Sequence, residues 1–295
     1  MKNAVAAIIV LFHPNQLLLR RLLDSVESQV AHIIIVDNTP KFSLQDLKCI
    51  PESCSYYSLG ENLGIAEAQN FGIKKALLLD ASHILLLDQD SFLPKDMVPS
   101  LLRAESDLLK RSQKVGAIGP AFVDEKTGAL AKLVRHKGFS VERFRPKLNE
   151  INEVDYIIAS GSLIRLDVIA RVGFMWSELF IDWVDVEWCL RAKKKGFRIF
   201  VDGSTIMHHS IGDEMTNFGG RDINLHSDFR NYFIVRNSAY LSAHSDLPIN
   251  WRLIQFFKVP AYILFYSWHS RLRLYSLRLL LKAAYRWFRG LLQAP

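Results

Sequence analysis

Two aspartates one residue apart, Asp88-Gln89-Asp90, close the apolar run Leu85-Leu86-Leu87. Hard carboxylate oxygens in this pattern, at the end of a buried strand, suit Mg²⁺ or Mn²⁺. Such an ion takes one or two protein carboxylates and fills its remaining positions with phosphate oxygens and water. The competing reading is a solvated acidic turn ahead of Pro94. A second acidic turn, Asp37-Asn38, follows Ile33-Ile34-Ile35-Val36 in the same way. Its oxygens either accept hydrogen bonds from a ligand or simply close an Asx-turn.

The segment Phe180–Arg191 holds a second group of acids. On a helix Asp182 and Asp185 share one face. Glu187 points away from them and stands four residues before Arg191, the favourable order for a helical ion pair. Glu187 is therefore read as structural and Asp185 as the candidate general base, a role helped by a raised carboxyl pKa. Four further features complete the candidates. Glu61-Asn62-Leu63-Gly64 opens a helix, either as a cap or as backbone N–H groups offered to a phosphate. His208 and His209 are adjacent, so on an extended chain at most one joins a site. Arg230 and Arg236 could fork onto a diphosphate, or they are solvated helix charges. With no H-x-x-x-H or cysteine pairing, zinc is not expected.

The elements that must position these groups follow from hydrophobic periodicity. Strands are expected at Val5–Phe12, His32–Val36, Ser55–Leu59 and His83–Leu87, alternating with helices at Gln16–Val30, Gly64–Leu79 and Lys95–Arg111. That alternation predicts an α/β fold with a mostly parallel central sheet flanked by helices, its ligand beyond the carboxyl ends of the strands. Further along, the patterns predict a hairpin over Phe122–Val134, a strand over Val154–Ala159, and a helix from about Arg165 to Val172. A helix over Val184–Lys195 ended by Gly196 and a strand over Phe197–Val201 follow, then a mobile loop over Gly212–Ser227.

The 295 residues are 49% hydrophobic and 23% charged, which is ordinary for a folded chain and excludes a disordered one. Cys49, Cys54 and Cys189 make no disulfide framework, and no secretory signal is read at Met1–Phe12, so a cytoplasmic protein is expected. The net charge of +7 is localised: Trp251–Pro295 carries eight Lys or Arg and no acid, leaving 29 basic and 30 acidic groups elsewhere. This is not the distribution of a nucleic-acid binder. In the tail, Arg271, Arg278, Lys282, Arg286 and Arg289 recur on one helical face and Leu274, Leu277, Leu281, Ala284 and Phe288 on another. That pattern fits a helix lying on an anionic membrane surface, or one packed on the body or on a partner subunit in an oligomer. The expected division is 1–245 for the catalytic domain and 246–295 for a basic amphipathic helical extension.

Eight segments in order, VLFHP at Val10–Pro14, IVDN at Ile35–Asn38, ENLGIAEAQNFG at Glu61–Gly72, LLLDQDS at Leu85–Ser91, SGSLIR at Ser160–Arg165, LFIDWVDVEWCLRA at Leu179–Ala192, HSIGD at His209–Asp213 and RNYFIVRN at Arg230–Asn237, carry a resemblance. The chain resembles inverting family-two glycosyltransferases of the GT-A fold, and among them bacterial rhamnosyltransferases. The resemblance implies a thymidine- or uridine-diphosphate sugar donor, foremost dTDP-L-rhamnose, and Mg²⁺ or Mn²⁺ as cofactor. It implies a saccharide or lipid-linked acceptor in O-antigen or other cell-surface polysaccharide or glycolipid synthesis, at the inner face of the plasma membrane. By the same resemblance the donor-binding set is Asp37, Asn38, Asn62, Gly64, Asp88, Arg230 and Arg236, and the metal set is Asp88, Asp90 and His209. Asp185 falls at the general-base position, with Asp182 beside it because Val184 stands where many relatives carry a second acid. A sugar-phosphate nucleotidyltransferase would need a Gly-rich basic loop near the N-terminus, which Val10–Pro14 lacks. A non-catalytic membrane-bound scaffold is disfavoured by the intact acidic set.

Overall fold

The computed structural model describes residues 4–41, 50–124, 128–138, 140–209, 214–218, 221–225 and 227–288, with backbone alone for Asp124, His209, 214–218, 221–225, Trp287 and Phe288. Strands β1 (Val5–Leu11), β2 (His32–Asp37), β3 (Ser55–Ser58) and β4 (His83–Asp88) lie parallel in the order β3-β2-β1-β4. All seven residues of β1 are buried. Its alternating side chains feed two cores: Ala6, Ile8 and Val10 one face, Val5, Ala7, Ile9 and Leu11 the other. Truncating Ile8 to Ala should cost about 2–5 kcal/mol.

Helices α1 (Gln16–Val26), α2 (Gly64–Ala76) and α3 (Met97–Lys110) cover the two faces. α1 starts where the Asn15 side chain accepts from Leu17 N at 2.9 Å and Leu18 N at 3.2 Å. In the second half β5 (Val115–Asp124) runs parallel to β10 (Arg198–His209). β8 (Ile151–Val154) closes the far edge antiparallel to β10. Between the two halves lies β9 (Ser162–Arg165), antiparallel to both β4 and β5. Gly161 precedes it at φ +80°, where a Cβ would come within 2.9 Å of Pro120. Helices α4 (Leu166–Val172) and α5 (Val184–Lys194) complete this half.

Several expectations are corrected. The expected hairpin over Phe122–Val134, by contrast, is present: Val123 bridges Leu130 antiparallel and Ala131 N donates to Phe122 O at 2.8 Å, with Lys126 and Thr127 outside the described residues, and a further pair, β6 (Leu133–Lys137) with β7 (Ser140–Phe144), follows it. The strand expected at Val154–Ala159 ends at Val154, because the backbone then leaves the β10 ladder and Asp155 N donates to Val134 O at 3.0 Å. Within Gly212–Ser227, where a mobile loop is expected, β11 (Glu214–Phe218) and β12 (Arg221–Leu225) pair as a further hairpin and Ser227 caps the next helix.

The chain ends in α6 (Asp228–His244), α7 (Ile249–His269) and α8 (Arg273–Phe288). Tyr232, Phe233 and Val235 of α6, Val259, Ile263 and Tyr266 of α7, and Leu280 and Ala283 of α8 share a third core. α8 therefore packs through a stripe of Ser276, Leu280 and Ala283. The expected split into one basic and one apolar face does not describe it: Leu277 and Ala284 turn partly inward, while Leu274 and Leu281 face outward beside Arg278 and Lys282.

Candidate active site

The strand tips after β1, β2 and β4 are tied together by side chains. Gln89 Oε1 accepts from Phe12 N at 2.8 Å and its Nε2 donates to Phe12 O at 3.1 Å. Thr39 Oγ1 accepts from His13 N at 2.9 Å. With Gln89 bound to the β1 tip, Asp88 ends β4 half-buried and Asp90 stands exposed. The Asp88–Asp90 turn lies at the carboxyl end of β4, between parallel β1 and antiparallel β9, and open α/β sheets bind ligands beyond such strand ends.

The segment 159–161 joins this acidic turn to Asp185. Ser160 Oγ meets Ser91 Oγ at 2.6 Å, Gly161 N donates to Leu86 O at 2.8 Å, and Ala159 N donates to Asp185 Oδ2 at 3.3 Å. Asp185 Oδ1 accepts from Val186 N at 2.8 Å. Beneath this carboxyl lies a small void of about 10 Å³ with an apolar lining that includes Ala117, Ile157, Ile164, Trp188 and Cys189. Burial against these groups, with the nearby Asp182 and Asp88 charges adding to it, pushes the Asp185 pKa up to about 6 despite the two backbone hydrogen bonds.

Asp182 does not share a helix face with Asp185. Phe180, Asp182 and Trp183 take φ of 64°, 61° and 67°, so α5 begins only at Val184. Three non-glycine residues in left-handed conformations cost about 1–3 kcal/mol each and need outside support. α6 supplies it. Asn237 Nδ2 donates to the carbonyls of Leu179 (2.8 Å), Ile181 (2.8 Å) and Asp182 (3.1 Å). Arg236 Nη2 donates to the carbonyls of Glu178 (2.7 Å) and Leu179 (3.0 Å). Arg230 forks onto the Asp182 carboxylate.

These contacts correct two expectations. Arg236 is buried, its pKa drawn down to about 10 by that burial, and it holds the turn rather than reaching a diphosphate. The start of α2 is likewise committed inward. Asn38 Oδ1 accepts from Leu63 N at 2.8 Å, Asn62 Oδ1 from Gly64 N at 3.0 Å, and Phe180 O from Ala66 N at 3.4 Å. Asn38 Nδ2 closes the set on Asn62 Oδ1 at 2.9 Å. Those N–H groups cannot cradle a phosphate. Gly64, at φ +83°, is there because a Cβ would stand 2.6 Å from Phe180. Asp37 is wholly buried, its oxygens accepting from Thr39 N at 2.9 Å and Tyr56 Oη at 2.7 Å, so it closes the Asx-turn.

The remaining expected residues fall nearby. His208 forms a bridge with Phe92, bringing the end of β10 beside the acidic turn, and His209 follows it opposite Asp124. Glu187 pairs with Arg191 at 2.7 Å as expected. Asp88 and Asp90 offer two hard oxygen ligands, and no group of three or more His, Cys, Asp or Glu gathers among the described residues. That donor set fits a cation completed by a ligand's phosphates and water, and not a closed protein cage. The residues that sequence reading missed, Tyr56, Gln89, Ser91, Ser160 and Asn237, act through tertiary hydrogen bonds. For Gln89, Ser91, Ser160 and Asn237 the only sign was membership in the segments LLLDQDS, SGSLIR and RNYFIVRN.

Comparison with known proteins adds the following. Residues 7–173 match the family described as glycosyl transferase family 2. The chain is 30% identical over 256 residues to the dTDP-rhamnosyl transferase RfbF of Shigella flexneri, covering 84% of this chain and 83% of that protein. It is 24% identical over 221 residues to the low-salt glycan biosynthesis hexosyltransferase Agl10 of Haloferax volcanii, covering 72% and 69%. Among solved structures, S. aureus TarS 1–349 in complex with UDP-GlcNAc aligns with a TM-score of 0.56 at 14% identity, over 95% of this chain and 81% of that one. GalNAc-T7 with UDP, GalNAc and Mn²⁺ aligns with a TM-score of 0.57 at 13% identity, over 91% of this chain and 58% of that longer one. The shared architecture is the GT-A arrangement.

Proposed function

Because the chain belongs to glycosyl transferase family 2 and is a glycosyltransferase, we propose that it moves L-rhamnose from dTDP-L-rhamnose onto an acceptor hydroxyl with inversion. The observation that carries the chemistry is the Asp185 carboxyl, raised to about 6 and tied through residues 159–161 to the Asp88–Asp90 turn. The choice of donor is supported by the likeness to RfbF.

In this reading Asp185 accepts the acceptor's hydroxyl proton while that oxygen bonds to the anomeric carbon and the bond to the diphosphate breaks. A base whose pKa lies just below the working pH is mostly unprotonated there yet basic enough to take the proton. Asp182, already forked onto Arg230, positions the turn instead. Asp88 and Asp90, with His209 from the end of β10, would hold Mg²⁺ or Mn²⁺, which supplies positive charge opposite the leaving diphosphate. Asp88 also serves the ribose, and the tip built by Asp37, Asn38 and Asn62 walls the donor side of the crevice. The neighbour structures with a UDP-sugar, or with UDP and Mn²⁺, support a nucleotide-sugar donor and a divalent ion.

The acceptor is a saccharide or a lipid-linked saccharide of a surface polysaccharide. Residues 1–245 act as the transferase, and 246–295 associate it with an anionic membrane surface. No helix among the described residues is long and apolar enough to cross a membrane. Turnover of the purified chain against a panel of nucleotide sugars tests the reading. Release of dTDP from dTDP-rhamnose above the rates with UDP-glucose and UDP-GlcNAc is expected, and a clear preference for a UDP-sugar would overturn the donor assignment.

A further inference from the structure

The surface of α7 divides into two faces of opposite character. Inward, Trp251, Val259, Ile263 and Tyr266 are buried. The Trp251 ring stands edge-on to Trp183 at 5.9 Å, two residues from Asp185. Ser270, at the end of the helix, donates from Oγ to Asp228 Oδ2 at 3.1 Å. The charges of Asp182 and Arg230 bear on the Tyr266 hydroxyl. One side of α7 is therefore built into the wall of the site.

Outward, Leu253, Phe256, Phe257, Pro260, Ala261, Leu264 and Trp268 are exposed, recurring at helical intervals along one stripe and without a charge among them. Phe257 is 74% and Trp268 66% exposed. The stripe runs about 22 Å along the helix at 1.5 Å per residue. An uninterrupted apolar ridge of this length on a water-facing surface marks a docking face. The sequence pattern had drawn attention to α8, but part of that helix's apolar face turns toward α6 and α7. Its outward positions mix Leu274 and Leu281 with Arg278 and Lys282.

We propose that the outward face of α7 beds into the surface of a bilayer carrying anionic lipids, holding the acceptor side of the cleft against the membrane, so that the acceptor is lipid-linked. This rests on the transferase reading above for the identity of the cleft. Charge decides the occupant. From Trp251 to the end of the chain there are eight basic residues and no acid. A symmetric contact with a second copy would bring like charges together, whereas an anionic lipid surface attracts those that face it, such as the exposed Arg278 and Lys282, by about 1 kcal/mol each. Trp268, with Arg273 stacked 4.6 Å over its ring, joins an aromatic body to a cation as the headgroup boundary favours.

Flotation of the full chain with vesicles tests the proposal. Binding is expected to vesicles of phosphatidylcholine mixed with phosphatidylglycerol, to weaken with salt, and to be much weaker to phosphatidylcholine alone. Phe257→Ser with Leu264→Ser should lower vesicle affinity about 30–100-fold. Arg278→Gln with Lys282→Gln should lower it about 30-fold and reduce the preference for anionic lipid. In the unaltered chain, brominated phosphatidylglycerol vesicles should quench tryptophan emission, and Trp268→Phe should remove most of that quenching. Vesicle binding unchanged by the Phe257 and Leu264 substitutions, or absence of quenching, overturns the proposal. So does a dimer that those substitutions split while no vesicle binds, which would give the face to a second copy. Binding of dTDP-rhamnose is read separately. Donor binding without vesicle binding sinks only this inference, and vesicle binding without binding of dTDP-rhamnose sinks the donor assignment instead.

Discussion

Arg230 grips Asp182 with a fork, Nη2 and Nε lying 3.0–3.2 Å from its carboxylate oxygens, and so separates the two acids that sequence placed together. Asp182 has a cation of its own, whereas the buried Asp185 carboxyl is held by backbone N–H donors from Ala159 and Val186. The two should respond differently to the same substitution. Asp185→Asn should lower kcat about 10²–10⁴-fold, the range for loss of a general base. Asp182→Asn should mainly cost stability, by roughly 1 kcal/mol after allowing for the exposure of Arg230. A dead Asp182→Asn beside an active Asp185→Asn in the same assay would reverse the roles.

The raised Asp185 pKa sets a pH dependence with a definite sign. Burial favours the protonated form in the folded chain, while in the unfolded chain this group titrates near 3.8. The folded state therefore binds the extra proton between about pH 4 and 6, and the contribution of Asp185 to stability should fall as pH rises through that window. Turnover needs the unprotonated form, so kcat/KM should rise tenfold per pH unit below about 6 and level off above it. Thermal melts and pH–rate profiles of wild type and Asp185→Asn check both. The variant should lack the stability slope, and a wild-type rate limb centred near pH 4 would contradict the assignment.

Asn237 holds three carbonyls of the 179–182 turn with one amide nitrogen. Asn237→Ala should destabilise the chain by about 2–3 kcal/mol, because buried carbonyls lose their donor. It should also lower kcat more than it weakens donor affinity, since the freed turn leads directly into Asp185. Denaturant melts together with donor titrations separate the two effects.

Sequence alone revealed the first half of the sheet well. β1, β2 and β4 are buried on both faces and announce themselves as unbroken apolar runs. β9 was hidden, because four residues after a turn carry no period and their antiparallel sense depends on both neighbours. The acids were found, yet their arrangement was not. Helical spacing put Asp182 and Asp185 on one face, while left-handed backbone at Phe180, Asp182 and Trp183 is borne by residues that give no local sign of it. The reason lies more than fifty residues away in Arg236 and Asn237, and tertiary support of that kind leaves no periodic trace.

Metal dependence follows from the Asp88–Asp90 turn. Chelation should abolish transfer, and Mg²⁺ or Mn²⁺ should restore it. Asp90→Asn should weaken the apparent Mn²⁺ affinity by roughly tenfold or more, given that even residues supporting a ligand contribute 10–100-fold. Mn²⁺ titration of activity measures this, and full turnover in metal-free chelator would remove the ion from the mechanism.

Gly64→Ala tests the close approach of α2 to the site turn. With φ at +83° and Phe180 2.6 Å from the added carbon, the turn must shift. A loss of about 2–4 kcal/mol is expected, read as a lowered denaturation midpoint. Gly60→Ala, where φ is +75° but nothing lies within 4 Å, should cost only the strain of its backbone.

The antiparallel β9 also has a consequence for how the polypeptide is made. β4 ends at Asp88, but the strand that covers its open side does not begin until Ser162. At ribosomal speeds of about 5–20 residues per second, the nascent chain carries that bare edge for roughly 4–15 s. During this interval the hydrogen-bonding groups of His83–Leu86 are available to any other extended strand. Released chains that stop short of residue 162 should therefore aggregate edge to edge, although they contain β1 to β4 in full.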